Sequence, residues 1–260
     1  MENLPDPLPA AAPQPDPWVN LKAFTAARIG LGRSGTSVPL REALAFKLAH
    51  AHARDAVYST LNQEKLLTEI AALPMPACQV SSQAKNRQQY LQRPDYGRQL
   101  ADTAKAQLAE QAQATCDLVI VLADGLSATA TNDHALPLLR RLLPELRAAG
   151  LQLGPLVLAE QARVALGDEV GYLLRARLVL VLIGERPGLS APDSLGAYFT
   201  YGPRPGLTDE ARNCVSNIRP AGLGYPAAAA KLGWLLREAL RRQLSGVALK
   251  DQADSLLAGL

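Results

Sequence analysis

Two carboxylates that follow predicted buried strands are the first candidates for ligand chemistry. Asp124 comes directly after the apolar run at 118–123, and Glu185 follows a second apolar run at 178–183. Ligands of open parallel sheets bind beyond the carboxyl ends of the strands, where both side chains are expected. Each also has a structural interpretation, because Asp124 can cap the next element and Glu185 can pair with Arg186 or another cation. As a pair, they indicate a ligand-binding edge of the sheet.

A thiol and several polar side chains stand together at 212–217, in a segment predicted to link the last strand to the final helix. A nucleophilic Cys214 would need a base, but His50, His52 and His134 fall in other elements. The cysteines are widely spaced and form no C-x-x-C, which argues against a disulfide framework and a zinc site. The sequence therefore predicts no catalytic residue and no metal ligand in this chain.

A G-x-G-x-x-G at Gly30, Gly32 and Gly35 matches a dinucleotide-binding pattern. That motif needs a buried strand before it and a helix that opens within it. Here the preceding residues are predicted to be helical, and the next helix is predicted to begin near Pro39. A dinucleotide-dependent oxidoreductase that uses these glycines is therefore an alternative function, and a glycine-rich turn at a subunit contact is the favoured interpretation.

Predicted strands and helices alternate from Cys116 onward, which is typical of crossover units in an α/β protein. Continuously apolar strands indicate a sheet that is covered on both faces. We therefore predict a doubly wound, mostly parallel, Rossmann-like sheet in a domain at 116–260. The prolines crowded into the first residues predict a disordered or extended arm at 1–17.

The region at 18–115 is predicted to be mainly helical. Apolar residues recur at helical spacing from Pro39 onward, with Ser37 as the candidate cap. We expect three of these residues to pack in a core: Leu44, Phe46 and Leu48. A second helix is predicted at 62–73, before two prolines. Three arginines in the polar stretch that follows fit either interface pairing or a solvated face: Arg87, Arg93 and Arg98.

The composition is that of a globular protein and excludes several function classes. The 27 basic residues stand against 24 acidic ones, so the formal charge of +3 lacks the dense positive charge of a nucleic-acid-binding protein. No apolar run reaches the roughly 18 residues of a membrane span. The first residues lack the basic and apolar regions of a signal peptide, so a cytoplasmic location is expected.

Six longer motifs stand in order along the chain: FTAARIGLGR from Phe24, LAHAHARDAV from Leu48, YLQRPDYGR from Tyr90, DLVIVLADGLS from Asp117, IGERPGL from Ile183 and NCVSNIR from Asn213. In this order they closely resemble the small (light) subunit of ethanolamine ammonia-lyase, an adenosylcobalamin-dependent enzyme. The likeness extends over 20–250 and leaves the arm at 1–17 outside it.

The resemblance implies a subunit that closes a cobalamin site at the interface with a large catalytic subunit and is not active alone. The complex would convert ethanolamine to acetaldehyde and ammonia by a radical mechanism. Carried over by motif, the cofactor contacts would be Val164, Glu185 and Cys214. Because the family forms hetero-oligomers of paired large and small subunits, the region at 18–115 is expected to contact the large subunit.

The sequence contains no D-x-H-x-x-G, the pattern of families in which a histidine binds beneath the cobalt. This absence and the resemblance together imply base-on adenosylcobalamin, in which the cofactor keeps its own base on the metal. The family also commonly works inside bacterial microcompartments, which implies such a location here. A non-enzymatic interaction subunit, whose α/β domain has lost its ligand, is the remaining alternative.

Overall fold

A computed structural model describes residues 16–111 and 115–250. The arm predicted at 1–17 lies outside the described residues except for its last two positions. The helices are α1 Leu40–Tyr58, α2 Gln63–Ile70, α3 Arg87–Gln92, α4 Asp102–Gln111, α5 Ala128–Ala148, α6 Leu166–Leu173 and α7 Tyr225–Arg242. The strands are β1 Ala77–Ser81, β2 Cys116–Ala123, β3 Leu153–Glu160, β4 Ala176–Gly184, β5 Leu195–Tyr201 and β6 Arg212–Ile218. No helix in the described part of the chain is long and apolar enough to span a membrane.

The strands form one sheet in the order β1-β3-β2-β4-β5-β6. The first four in that order are parallel to one another, whereas β5 and β6 are antiparallel to their neighbours. In sequence, α5 connects β2 to β3 and α6 connects β3 to β4, as expected of crossover units. The predicted α/β class and mostly parallel sheet are confirmed, and an antiparallel pair of strands extends the sheet on one side.

Side chains of the central strand alternate between two separate cores, one on each face of the sheet. One core holds Leu118, Ile120 and Leu122 of β2 with buried leucines of α5 and α7. The other core holds Val119, Val121 and Ala123 with apolar residues of α6, among them Leu166 and Val170. The continuously apolar strands in the sequence therefore have the predicted physical cause, which is burial on both faces.

Two strands were not predicted, and both lie at an edge of the sheet. β1 falls within the region predicted to be mainly helical, and its residues alternate between exposed and buried positions. β6 occupies the segment predicted to be a linker, where Asn213 is partly exposed and Ser216 and Asn217 are exposed. An edge strand pairs on one side only and can carry polar side chains, so it lacks the continuous apolar run that marks a central strand.

The three apolar residues of α1 that were expected to pack in a core are exposed, which corrects the sequence-based expectation. Leu44 and Leu48 are 54% and 58% exposed, and Phe46 is 46% exposed. The predicted cap is also wrong, because Pro39 occupies the cap position, while Ser37 forms a bridge with Ser34. Helical spacing correctly predicted α1, but it does not tell which molecule covers the apolar face.

Candidate functional site

A crevice lies at the carboxyl ends of β2 and β4, which are neighbours in the sheet. From β2 the chain crosses to β3 on one side and then to β4 on the other, so the winding direction reverses between β2 and β4. Such a reversal leaves an opening beyond the strand ends where ligands bind in α/β proteins. The first hollow of the crevice has a volume of about 450 Å³, and its lining includes Gly125, Leu126, Gly184 and Glu185.

The three residues predicted to contact a ligand come together along this crevice. A second hollow of about 340 Å³ is lined by Val164, Tyr198 and Cys214. Val164 and Tyr198 also line the first hollow beside Glu185, so the two hollows adjoin. Residues that are up to 50 positions apart in the sequence therefore share one surface, although no local sequence pattern connects them.

Glu185 is held by neutral groups of the crevice wall. Its carboxylate accepts a hydrogen bond from the Ser194 hydroxyl and one from the backbone N–H of Asn217 at 3.2 Å. Its own backbone N–H donates to the carbonyl of Ser194 at 2.9 Å. The cation partner that the sequence suggested is thus replaced by a hydroxyl and an amide, which leave the carboxylate with acceptor capacity for a ligand.

Cys214 lies opposite Tyr198 in the pairing of β5 with β6. Desolvation of the Cys214 thiol is the largest cause that raises its pKa, and the charge of Glu185 also raises it. The hydrogen bond with Tyr198 opposes this rise. Desolvation also raises the pKa of the Tyr198 phenol, with further contributions from Cys214 and Glu185. The raised pKa makes the Cys214 thiol less acidic than an ordinary cysteine, and a less acidic thiol is less readily converted to the reactive thiolate.

Asp124 has a structural role and is 3% exposed. Its carboxylate accepts hydrogen bonds from the backbone N–H groups of Gly125, Gln161 and Ala162, each at 2.9 Å, and lies 3.5 Å from Arg87. Burial raises the pKa of Asp124 to about 6, although these partners oppose the shift. Asp124 does not cap the next helix as the sequence suggested. It anchors the loop after β3, which carries Val164.

The polar stretch after β1 forms one wall of the crevice, and sequence reasoning did not predict this role. Tyr90 is fully buried, and its hydroxyl donates to the carbonyl of Ala162 at 3.1 Å. Two guanidinium groups lie over its ring, Arg87 at 4.8 Å and Arg163 at 4.3 Å from the centroid. Arg87 is therefore neither an interface cation nor part of a solvated face, whereas Arg93 is exposed and pairs with Asp95.

A buried ion pair lies beneath the second hollow. Arg212, the first residue of β6, donates a hydrogen bond to Asp168 of α6, and both side chains are almost inaccessible to solvent. Arg212 also contacts the exposed Asp209 at 3.0 Å. The pair connects the strand that carries Cys214 to the helix that follows Val164. No local pattern could have predicted it, because the partners are 44 positions apart.

The glycine motif near the start of the chain lacks the context of a dinucleotide site. Gly30, Gly32 and Gly35 all have positive φ angles, of 57°, 72° and 60°. No strand precedes them within the described residues, and α1 begins only at Leu40. The motif is a glycine-rich turn, so the structure does not support the dinucleotide alternative.

Fold and site together define an α/β protein with an open ligand crevice and, among the described residues, no assembled nucleophile and base. A family model described as "Ethanolamine ammonia-lyase light chain (EutC)" matches residues 15–250. The chain belongs to this family, the small subunits of ethanolamine ammonia-lyase. It is therefore one part of a lyase that also has a larger subunit.

Curated relatives agree with this assignment over nearly the whole chain. An ethanolamine ammonia-lyase small subunit from Rhodopseudomonas palustris is 56% identical over 238 residues, which cover 92% of this chain and 90% of the relative. Small subunits from Ralstonia nicotianae and Pseudomonas fluorescens are each 53% identical. Those matches cover 96% and 95% of this chain, and 93% and 90% of the relatives.

Proposed function

We propose that the crevice at the carboxyl ends of β2 and β4 closes over adenosylcobalamin at the interface with the large subunit. The complex would convert ethanolamine to acetaldehyde and ammonia by a radical mechanism, and this chain would be inactive alone. The observation that carries the proposal is the meeting of Val164, Glu185 and Cys214 in one crevice. The family membership of the chain agrees with it.

The lining of the crevice fits such a cofactor chemically. Cobalamin is a large ligand with amide-bearing arms around an apolar macrocycle, so its site needs scattered polar partners beside apolar surface. Leu126, Ile183 and Val164 provide apolar surface, while Glu185 provides hydrogen-bond acceptors. A Cβ at position 196 would lie 3.0 Å from Oε1 of Glu185, so the glycine there leaves room for this carboxylate.

Each of the three residues has a role that follows from its chemistry. Glu185 would accept hydrogen bonds from hydroxyl or amide groups, and Val164 would provide apolar contact. Cys214 would pack as a small polarisable residue without reacting. When bound, adenosylcobalamin supplies the radical chemistry, and the share of this chain is to bind, orient and exclude water.

No histidine of this chain is placed to bind cobalt, which supports the base-on state. None of the histidines lines the crevice, since His50 and His52 belong to α1. Both ring nitrogens of the buried His134 are engaged, one by Tyr225 at 2.9 Å and the other by Asp193 at 3.2 Å. We expect no coupling from isotopically labelled histidine nitrogen in the electron spin resonance spectrum of the enzyme. Such a coupling would contradict base-on binding.

The N-terminal part of the described chain supports a contact with the large subunit. Of the twelve exposed large apolar and aromatic side chains in the described residues, ten fall between Trp18 and Tyr58. This segment also contacts the loop after Glu185, because Arg28 donates to the carbonyl of Leu189 at 3.3 Å. The N-terminal segment therefore lies beside the loop that follows Glu185, and a partner that covers one could also reach the other. We place the assembled hetero-oligomer in the cytoplasm, within a bacterial microcompartment.

The decisive experiment is reconstitution. Aldehyde release from ethanolamine is measured with separately prepared large subunit and adenosylcobalamin, before and after this chain is added. Activity that appears only on addition supports the proposed function. Inactivity, with a large subunit shown to work alongside another small subunit, would overturn it and return attention to the crevice and the Gly30 turn as sites for a different ligand.

Replacement of Glu185 by Ala is expected to weaken cofactor binding to the assembled enzyme by about 1 to 3 kcal/mol, the usual effect of removing a buried hydrogen-bond partner. Equilibrium dialysis with adenosylcobalamin measures this change. Glu64→Ala, at an exposed position of α2, is the matched control and should leave the affinity unchanged. Equal affinities of all three proteins would favour the interaction-subunit alternative.

A further inference from the structure

Arg163 carries a guanidinium whose hydrogen-bonding capacity is mostly unused. Its side chain lines both hollows of the crevice. Its Nε is buried without a hydrogen-bond partner, and its Nη2 reaches the carbonyl of Tyr90 only at 3.4 Å. Within the described part of the chain, no carboxylate lies within 4.0 Å of this guanidinium. A buried donor of this kind is costly unless a ligand supplies the acceptor.

The position of Arg163 is fixed by its surroundings. The guanidinium stacks on the fully buried ring of Tyr90 at 4.3 Å from the centroid. Its backbone N–H donates to the carbonyl of Gly97 at 2.7 Å. A Cβ at position 97 would lie 2.9 Å from Cγ of Arg163 and 2.9 Å from Tyr90, so only glycine permits this packing. The side chain is thus held in place before any ligand binds.

The nearby charges do not neutralise Arg163. Asp124 already accepts three backbone N–H groups and faces Arg87 at 3.5 Å. Burial is the main cause that lowers the pKa of Arg87, and the positive charge of Arg163 adds to that lowering. Asp124 therefore pairs with Arg87 and not with Arg163, which leaves the positive charge of Arg163 without a paired carboxylate among the described residues.

We propose that Arg163 binds the phosphodiester of the nucleotide tail of adenosylcobalamin. This inference rests on the proposed function. The peripheral arms of the cofactor end in neutral amides, so the phosphodiester is its anionic group. A planar guanidinium is well suited to phosphate oxygens, which it can bind through two parallel hydrogen bonds. The stacked and incompletely hydrogen-bonded Arg163 is the residue of the crevice that best meets this requirement.

The test compares two ligands on the assembled enzyme by equilibrium dialysis and visible absorption. Adenosylcobalamin carries the phosphodiester, whereas adenosylcobinamide has the same macrocycle without the nucleotide tail. For Arg163→Gln we expect a loss of affinity of about 10- to 100-fold for adenosylcobalamin and less than about 2-fold for adenosylcobinamide. Arg141→Gln, at an exposed position of α5, is the control and should change neither affinity.

A second variant separates charge from packing. Arg163→Lys keeps the positive charge but loses the stacked plane, so it should retain more affinity for adenosylcobalamin than Arg163→Gln. Equal losses for the two ligands, or equal losses in the two variants, would overturn the assignment of the phosphodiester to Arg163. A wild-type complex that binds no adenosylcobalamin would instead overturn the proposed function. Thermal unfolding of each variant shows whether a loss of affinity arises from misfolding.

Discussion

Replacement of Leu40, Leu44 and Leu48 by glutamine is expected to prevent assembly with the large subunit while the isolated chain keeps its stability. These residues, the leucine stripe, are 74%, 54% and 58% exposed. Their spacing of four places them on one face of α1, along about 12 Å of the helix. Burial of such side chains contributes about 1 to 2 kcal/mol each, so the triple variant should bind the large subunit about 100-fold or more weakly.

In contrast to assembly, the stability of the isolated chain should be almost unchanged. Because the leucine stripe has no cover in the described chain, its loss exposes no core, and glutamine has a helix propensity similar to that of leucine. The free energy of unfolding of the isolated chain should therefore change by less than about 0.5 kcal/mol. Sedimentation velocity of the mixed subunits measures assembly, and chemical denaturation of this chain alone measures stability.

The matched control uses exposed apolar residues elsewhere. Tyr172 and Val247 are 58% and 81% exposed and lie outside the N-terminal segment. Their replacement by glutamine should leave assembly unchanged if α1 is the contact surface. Assembly of the leucine-stripe variant at the wild-type affinity would show that α1 faces solvent in the complex and that another surface holds the large subunit.

The sequence predicted the central strands and the location of the site at their carboxyl ends, because both depend on local patterns. Continuous apolar runs marked β2 and β4, and polar residues followed them directly. The edge strands β1 and β6 were missed, since half-exposed strands carry no such run. The predicted helix α1 was correct, but whether its apolar face meets a core or a partner depends on tertiary structure.

The contacts that form the wall of the crevice were harder to predict than the strand ends beside it. Tyr90 and Arg163 stack on each other across 73 positions of the sequence, and only the folded chain brings them together. The motif resemblance supplied Val164, Glu185 and Cys214, and it gave no reason to select the arginine next to Val164. Long-range contacts between polar residues leave no periodicity, so the sequence pattern does not show them.

The Arg212→Met variant is expected to lose about 3 to 5 kcal/mol of folding free energy, because Asp168 would remain buried without its cation. The side chains of this pair are only 3% and 2% exposed. Arg177→Met is the matched control, since Arg177 pairs with Asp117 at 2.9 Å but is 45% exposed. Loss of that surface pair should cost no more than about 1 kcal/mol. Denaturant titration of the isolated chain measures both.

The pH dependence of the stability of Arg212→Met provides a second test of the buried pair. Burial raises the pKa of Asp168, and Arg212 opposes that shift. Without Arg212 the pKa should rise further, so the folded variant binds a proton more tightly than the unfolded chain does. The stabilisation that comes from this tighter proton binding is fully present below the unfolded pKa of about 4. It is lost as the pH rises through the higher pKa of the folded variant. The deficit of Arg212→Met relative to wild type should therefore be smaller near pH 4 than at pH 7.

A double variant separates the buried charge from simple loss of packing. Asp168→Asn combined with Arg212→Met removes both charges, so it should recover much of the stability that the single variant loses. Because β6 begins at Arg212 and carries Cys214, the single variant should also bind adenosylcobalamin more weakly in the complex. If the single and double variants are equally unstable, packing and not the unpaired carboxylate dominates, and the pair then has no special part in holding β6 against α6.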